Sequence, residues 1–329
     1  MGGRLRGGTT EESETLRTKL VVLAVLAGFI GAVPVIVSAQ SERDQVCTDP
    51  DESFDLFAER LGKNRIGYGL TPGAATIPGP TLEMTEGECI AVTLVNDTNA
   101  RVSMHAHGVQ YTPASDGTPH NSSCVGPGKS RTYLFSAPGP REGVAGTAGY
   151  WHYHDHCMNG AHGTAGIQAG LFGAFIVRRP GDQLPDREPF VLTMGPGKTI
   201  NKKKAPHTPL VEANQGERVE FVVIGEGDLM HTFHVHGHRW ADNRTGIPSS
   251  GAEQVIDNKT VGPADSFGFQ VIAGDGVGPG AWMYHCHMQN HSDLGMAGIF
   301  LVRTPDGQVT PETQAALEKW KRIEGGHAH

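Results

Sequence analysis

The chain has 329 residues, which is enough for two domains of ordinary size and too long for a single small one. Its formal net charge is −8 and no basic stripe runs along it, so the sequence argues against nucleic acid as a partner. Most of the 17 histidines fall in four tight clusters, which is rare in a plain core because each buried ring needs polar partners.

Residues 1–39 are expected to lie outside the fold as a signal peptide. Basic residues precede an apolar run over residues 20–33, and Val37-Ser38-Ala39 then gives a small-residue cleavage site. This order predicts export, so that the mature protein is secreted or periplasmic. A retained N-terminal membrane anchor is the alternative, because the apolar stretch approaches the length needed to span a bilayer.

The chain repeats itself. Residues 82–108 align without a gap with residues 211–237, and a second matching block follows in each half. The chain is therefore expected to contain two copies of one domain. We name them repeat one (residues 45–180) and repeat two (residues 190–305). A Pro-rich linker (residues 180–189) joins them, and a tail (residues 306–329) follows.

Each repeat is predicted to be all-β. β-branched runs at residues 90–95 and 218–224 are bounded by turn signals, and the pattern favours two Greek-key β-sandwiches in tandem. In the tail, Thr310 is a candidate N-cap and Pro311 a candidate first residue of one short C-terminal helix.

Five cysteines are present, and an odd number in an exported chain leaves one thiol over. Cys286 stands between two histidines and is the obvious one to assign to a metal. The other four could form up to two disulfides or stay free, and the sequence gives no pairing: Cys47, Cys89, Cys124 and Cys157.

Four His-x-His pairs form the strongest motif. On a strand, residues two apart face the same side, so each pair offers two imidazoles to one place. Eight imidazoles that converge between domains would suit three metal ions, and imidazole alone fits zinc, copper, iron or nickel. The four pairs are His105/His107, His154/His156, His234/His236 and His285/His287.

Cys286 identifies the metal as copper. Because it lies between His285 and His287, its sulfur should point to the opposite face of the strand. Two imidazoles, one thiolate and a weak axial thioether form a blue-copper electron-transfer site. His231, His291 and Met296 stand at fitting positions around Cys286 and complete that set.

We call the set of Cys286, His231, His291 and Met296 the cysteine-centred site. Repeat one has other residues at the positions that align with three of these four. Val102 stands where His231 is, Asp155 where Cys286 is, and Leu171 where Met296 is. Both repeats nevertheless keep their His-x-His pairs. This pattern predicts one electron-entry site that serves an interfacial metal cluster.

Residues 45–305 resemble the multicopper oxidases, and among them the two-domain bacterial small laccases. The resemblance rests on HAHG (105–108), YHDH (153–156), HTFHVHGHRW (231–240) and HCHMQNHSDLGM (285–296). It implies cupredoxin-like domains and four coppers per chain: one type 1, one type 2 and two type 3. His105 and His234 would then bind the type 2 ion. The type 3 ions would fall to His107, His154, His156, His236, His285 and His287.

The resemblance further implies one-electron oxidation of phenolic or similar small reductants, coupled to four-electron reduction of O2 to water. It also implies a homotrimer with trinuclear copper sites between chains. The alternative assembly is a monomer that closes its own two half-sites across the Pro-rich linker. A copper nitrite reductase and a cuprous or ferrous ion oxidase are the alternatives within this chemistry. A copper storage or delivery protein is an alternative of a different class.

Oxygen reduction consumes protons, so polar residues near the ligands are candidate catalytic relays. Asp116 in Ser-Asp-Gly is the first candidate, although a turn Asp that caps its own backbone explains it equally well. Tyr111 and Asp257 are further candidates, and Tyr111 could equally be a core residue. His152, His162 and His238 lie outside the matched pattern and are interpreted as structural or ligand-supporting residues.

Overall fold

Repeat one is a sandwich of two four-stranded sheets in the computed structural model, which describes residues 47–160 and 162–322. One sheet has the order β2-β1-β4-β6 and the other the order β3-β8-β7-β5. Its strands are β1 (Glu52–Gly62), β2 (Arg65–Gly69), β3 (Leu82–Thr85), β4 (Cys89–Asp97), β5 (His105–Ala106), β6 (Ser130–Ser136), β7 (Gly149–His154) and β8 (Phe172–Arg178), with a 3-10 turn (Pro113–Ser115) and helix α1 (Thr164–Ala169).

Repeat two is also a sandwich of two sheets, one of which has five strands. That sheet has the order β10-β18-β17-β12-β15, it faces a β16-β11-β9 sheet, and a β13-β14 hairpin lies beside them. Its strands are β9 (Phe190–Met194), β10 (Leu210–Asn214), β11 (Arg218–Gly225), β12 (His231–Val235), β13 (Trp240–Ala241), β14 (Val255–Ile256), β15 (Asn258–Val261), β16 (Ser266–Ile272), β17 (Gly280–Cys286) and β18 (Ala297–Arg303), with helices α2 (Gln289–Ser292) and α3 (Pro311–Lys321).

The prediction of an all-β chain with a short C-terminal helix is confirmed. The β-branched runs at residues 90–95 and 218–224 lie inside β4 and β11. The helix α3 begins at Pro311, and the hydroxyl of Thr310 accepts a hydrogen bond from the Thr313 amide at 3.2 Å. Leu317 on α3 packs in a buried cluster against strand β18. The expected signal peptide and residues 323–329 lie outside the described residues.

Each sandwich encloses one apolar core, and a third apolar cluster joins the two repeats. In that cluster Ile176 of β8 packs with Val222 and Ile224 of β11. The fully buried carboxylate of Glu220 lies beside it and accepts hydrogen bonds from the Tyr150 hydroxyl at 2.6 Å and from Arg178 at 2.7 and 2.8 Å. A buried charge is tolerated only with such partners, so this network fixes β7 and β8 of repeat one against β11 of repeat two.

Two disulfides form in repeat one, Cys47–Cys89 and Cys124–Cys157, while Cys286 is a buried free thiol. Cys157 follows His156 directly, so the second bridge secures the chain just beyond β7. Over the part of the chain that the structure describes, no helix combines the length and the apolar character required for a membrane span.

Candidate metal centre

The His-x-His pairs meet because their strands are neighbours. His105 of β5 lies opposite His154 of β7 in an antiparallel pair, and His234 of β12 lies opposite His285 of β17 in the same way. Cross-strand partners have their side chains about 5 Å apart on one face of the sheet. Two pairs on neighbouring strands therefore form one patch of imidazoles in each repeat.

In repeat one, His105, His107 and His154 form a group that could hold a metal ion, with ligand atoms all within 4.8 Å of one another. The Nε2 atoms of His107 and His154 lie 3.1 Å apart. The Nδ1–H of His105 donates to the main-chain oxygen of Asp116 at 2.7 Å, and that of His154 donates to the main-chain oxygen of Asp155 at 3.1 Å. These bonds fix the tautomer, so that Nε2 carries a free lone pair.

Repeat two reproduces this arrangement with His234, His236 and His285. The Nε2 atoms of His236 and His285 lie 3.2 Å apart. The Nδ1–H of His234 donates to the main-chain oxygen of Asp257 at 2.6 Å, and that of His285 donates to the main-chain oxygen of Cys286 at 3.0 Å. All members of each group belong to a single repeat.

The fourth imidazole of each set lies beside its group rather than inside it. The His156 ring is 4.7 Å from the His105 ring and 4.8 Å from the His154 ring. The His287 ring is 5.5 Å from the His234 ring, and His287 is exposed. All eight predicted cluster histidines are therefore collected into two patches of four.

The predicted cysteine-centred site forms in the core of repeat two. The Cys286 thiol lies 3.8 Å from Nδ1 of His231 and 3.5 Å from Nδ1 of His291, and these two nitrogens are 3.2 Å apart. All three side chains are buried. Met296 is fully buried in the same core cluster, and its main-chain oxygen accepts from the Cys286 amide at 3.0 Å.

Burial favours the neutral form of several of the candidate ligand histidines. Together with the neighbouring histidines, it lowers the pKa of His107 to about 3 and the pKa of His285 to about 4. Burial and the adjacent His291 lower the pKa of His231 to about 4. Metal ligands must be unprotonated, so these sites are poised for a cation.

The donor chemistry fits copper. In the histidine groups, unprotonated Nε2 atoms converge, an arrangement that is unfavourable unless a cation lies between them. In repeat two, a thiol and two Nδ1 atoms meet in a buried pocket, which is the donor set of a blue-copper site. The corresponding place in repeat one is filled by three fully buried residues that cannot form such a site: Val102, Asp155 and Leu171.

The three predicted relay residues lie close to the histidines of the two patches. Asp116 Oδ1 is 3.6 Å from Nδ1 of His105, and the carboxylate also accepts from Thr118 and Asn121. The Tyr111 ring meets the His105 ring edge-on at 5.9 Å. Asp257 Oδ2 is 3.9 Å from Nδ1 of His234, with 63% of the side chain exposed.

The structure also reveals supporting contacts that the sequence pattern does not contain. Both ring nitrogens of His238 are engaged, since Nδ1 donates to the His236 main-chain oxygen at 2.9 Å and Nε2 accepts from the Gly274 amide at 2.9 Å. The ring of His152 stacks on that of His107 at 4.1 Å. The polar partner of His152 is Glu226, which is 74 residues away in the chain. No local spacing could therefore have indicated the contact between these two side chains.

Comparisons with known proteins agree with this site. Residues 73–182 and residues 183–306 match two family models, both described as multicopper oxidase. The chain is 33% identical over 258 residues to a probable nitrite reductase-hydroxylamine oxidoreductase fusion protein of Kuenenia stuttgartiensis, covering 72% of this chain and 28% of that one. It is 25% identical over 296 residues to hephaestin of Rattus norvegicus, covering 75% and 24%. It is 33% identical over 106 residues to laccase-13 of Arabidopsis thaliana, covering 31% and 16%.

A solved crystal structure of a multicopper oxidase matches with a TM-score of 0.57 and 26% identity, covering 76% of this chain and 88% of that one. By contrast, the chain spans only 28%, 24% and 16% of the length of the three curated relatives. The two family models nevertheless span residues 73–306 together, a range that includes every histidine pair and Cys286. The chain therefore belongs to the multicopper oxidase family of oxidoreductases, which implies copper as its metal.

Proposed function

We propose that this chain is a laccase-like oxidase that takes single electrons from phenolic or similar small reductants and reduces O2 to water. One observation carries this proposal. Both repeats keep a complete patch of four histidines, whereas the cysteine-centred site exists in repeat two only. This is the arrangement needed for one electron-entry site and one multinuclear site that is built from two halves. The similarity to plant laccases supports it.

We assign one type 1 copper to Cys286, His231, His291 and Met296, so that four coppers bind per chain. His105 and His234 would hold the type 2 ion. His107, His154, His156, His236, His285 and His287 would hold the type 3 pair. Copper bound at these residues would supply the one-electron redox chemistry. The protein orients each imidazole through the main-chain hydrogen bonds described above.

The route for electrons would run along β17. Cys286 and His285 are consecutive residues whose side chains point to opposite faces of the strand. The Nδ1–H of His285 also donates to the main-chain oxygen of Cys286 at 3.0 Å, which adds a hydrogen-bonded path to the covalent one. Both residues are buried, so solvent is kept from this route.

Protons for oxygen reduction would arrive through the polar residues beside the histidines. Asp116 is the first candidate, because its carboxylate lies 3.6 Å from the His105 ring and is held in place by two side-chain donors. Asp257 is the candidate in repeat two, where its exposed carboxylate connects His234 with solvent. Tyr111 stands edge-on to His105 and would orient that ring.

We further propose that the enzyme is exported and assembles as a homotrimer. Each histidine group lies within a single repeat, and a trinuclear site needs one group from each kind of repeat. Contact between repeat two of one chain and repeat one of the next is a heterologous interface, which can close into a ring.

Oxygen uptake with a phenolic reductant tests the function directly. The copper-loaded protein should contain about four coppers per chain, show blue colour and consume one O2 for each four electrons supplied. A copper nitrite reductase is the second candidate, favoured by the similarity to the probable nitrite reductase fusion protein. About two coppers per chain, with nitrite turnover under anaerobic reducing conditions and no oxygen uptake, would establish that alternative.

A further inference from the structure

His152 is a buried histidine whose position the metal-binding pattern does not explain. It lies on β7 between Trp151 and Tyr153, and its side chain is 1% exposed. Its Nδ1 lies 3.1 Å from Oε1 of Glu226, and the Glu226 side chain is also 1% exposed. Its Nε2 is buried and has no hydrogen-bond partner among the described residues.

The ring of His152 packs against two proposed copper ligands. It stacks on His107 with 4.1 Å between ring centres and an angle of 20° between planes. It is also nearly parallel to His154, with a centre distance of 5.5 Å and an angle of 19°. The three imidazoles therefore pack together with their planes within 29° of one another, and of the three only His152 is anchored by an acidic side chain.

Glu226 is held rigidly by repeat two. It follows strand β11 directly, and its amide donates to the main-chain oxygen of Met194 at 2.9 Å. Gly195 packs so tightly against it that a Cβ at this position would lie 1.9 Å from the Glu226 main-chain oxygen. The carboxylate therefore projects from a fixed point of repeat two into the histidine patch of repeat one.

Repeat one needs such support more than repeat two does. Strand β5 contains His105 and ends one residue before His107. It has two residues and, among the described strands, it pairs with β7 alone. Its counterpart β12 has five residues and pairs with β15 and β17 on either side. The residue that corresponds to His152 in repeat two is Met283, which has no ring to stack and no polar hydrogen. The supporting pair thus occurs in the repeat where the strand of the first histidine pair is shorter and is paired on one side.

We propose that Glu226 and His152 form a positioning pair that orients His107 and His154 for copper. The Nδ1–H of His152 donates to the Glu226 carboxylate, which fixes the ring, and the fixed ring holds the two ligand imidazoles by stacking. Carboxylate support of this kind is typical around metal-site histidines, although here it acts through a stacked ring rather than on a ligand itself. This inference rests on the proposed copper-binding role of the histidine patches.

Two Glu226 substitutions separate orientation from simple packing. Glu226→Leu removes the acceptor, so the His152 ring should lose its fixed direction. We expect copper affinity at the histidine sites, measured by chelator competition, to fall about 10- to 100-fold. Glu226→Gln keeps an oxygen that accepts from Nδ1–H, and we expect it to retain near wild-type affinity. The blue absorbance of the Cys286 site should persist in both variants and reports that repeat two is folded.

Glu220→Gln is the matched control, because Glu220 is an equally buried carboxylate at the contact between repeats but touches none of the stacked rings. It should lower the unfolding stability of the copper-free protein without changing copper affinity. His152→Phe keeps an aromatic ring but loses the Nδ1–H, and should weaken copper binding as Glu226→Leu does. It therefore tests the same point if the leucine variant does not fold.

Wild-type copper affinity in Glu226→Leu or His152→Phe would overturn the positioning role and leave the pair as core packing. Affinity that falls equally in Glu226→Gln and Glu226→Leu would also contradict it, because the glutamine retains the acceptor. If the wild-type chain binds copper at the Cys286 site alone, the proposed histidine cluster is wrong. The role of the pair is then wrong as well, and this result needs no comparison of variants.

Discussion

At the residue scale, the histidine patches and the cysteine-centred site differ in which imidazole nitrogen faces the metal position. In each histidine patch, Nδ1 of two histidines donates to main-chain oxygens at 2.6–3.1 Å, so that their Nε2 atoms face the metal position: His105 and His154 in repeat one, and His234 and His285 in repeat two. In the cysteine-centred site, Nδ1 of His231 and of His291 faces the sulfur instead. Since a neutral imidazole offers one lone pair, these hydrogen bonds decide which atom becomes the ligand.

Cys286→Ser should abolish both the blue colour and phenol oxidation. The thiolate is the only sulfur anion available to the site, and it begins the proposed route to His285. Copper at the histidine patches should largely remain, because their imidazoles are untouched. Absorbance, copper analysis and oxygen uptake on the same sample check all three points. Phenol oxidation by the serine variant at a rate similar to the wild type would show that the assigned route is wrong.

Met296→Leu should be milder than the cysteine substitution. It replaces a fully buried thioether with a side chain of similar volume, so the core of repeat two should stay packed. At the proposed copper site this change would remove only a weak fourth ligand, so the blue colour should persist and the reduction potential should rise. Redox titration followed by the blue absorbance measures this. An unchanged potential would mean that the thioether does not contact the copper.

Much of the site could be predicted from side-chain spacing alone. Pairs two residues apart on a strand had to share a face, and Cys286 had to point away from His285 and His287. The main-chain oxygens of Asp116 and Asp257 could not be predicted, because loop conformation rather than residue type places them against the rings. The sequence therefore indicated both aspartates through their carboxylates. The structure shows that the main-chain oxygen of each aspartate also contacts a histidine ring.

At the scale of elements, the disulfide Cys124–Cys157 holds the end of β7 against a loop of repeat one. Replacing both cysteines with serine should cost about 3–4 kcal/mol of unfolding free energy for a separation of 33 residues, on a chain-entropy estimate. Because Cys157 follows His156 directly, copper uptake at the histidine patch should also fall. Urea unfolding of the copper-free protein and chelator competition provide the two measurements.

The bridge Cys47–Cys89 supplies the matched control, with a separation of 42 residues and therefore a similar entropic effect. It joins the start of β4 to the beginning of the described chain and contains no neighbour of a histidine ligand. Its double serine variant should lose comparable stability and keep its copper affinity. Equal copper losses in the two variants would show that the effect comes from general destabilisation.

Strand positions were predictable where hydrophobic patterning dominates, as in β4 and β11, and α3 was predictable from Thr310 and Pro311. The cysteine pairing was not, because four cysteines allow three pairings and spacing does not rank them. The contact of Glu220 with Tyr150 and Arg178 was also invisible. It joins residues separated by 70 and 42 positions, and only the packing of one repeat on the other brings them together.

At the scale of the whole molecule, the linker is fastened to repeat two by an ion pair. Asp182 accepts from Arg244 Nη1 at 2.7 Å, and Nη2 also reaches this carboxylate. Burial alone would raise the pKa of Asp182, but hydrogen bonds from Arg244 and from the Arg179 amide bring it below its usual value. The pair therefore stabilises the fold above the unfolded-state pKa of about 3.9, and the effect is lost as the pH falls through the lower folded-state pKa.

Asp182→Asn should consequently destabilise the protein at pH 7, and the difference from wild type should disappear in acid. Urea midpoints of the copper-free proteins across an acidic pH series measure the difference. A difference that stays constant as the pH falls below the ordinary carboxyl range would mean that the effect comes from packing rather than from the charge of Asp182.

The division of ligands between repeats also makes a prediction about assembly. If one trinuclear site forms between repeat two of one chain and repeat one of the next, two defective chains should complement each other. One chain would carry His105→Ala and His107→Ala, and the other His285→Ala and His287→Ala. Each alone should be inactive with phenols, since every interface then lacks two ligands.

Co-expression of the two chains should restore part of the activity. In a ring of three, every mixed ring contains one interface where an intact repeat two meets an intact repeat one. Random assembly of equal amounts makes three rings in four mixed, so about a quarter of the wild-type sites should be complete. The electron-entry site of each complete interface also belongs to the chain with an intact repeat two, so recovered sites should turn over at the wild-type rate. A monomer that closes its own two patches predicts no recovery in any ratio, and that result with a monomeric mass for the active wild type would overturn the trimer.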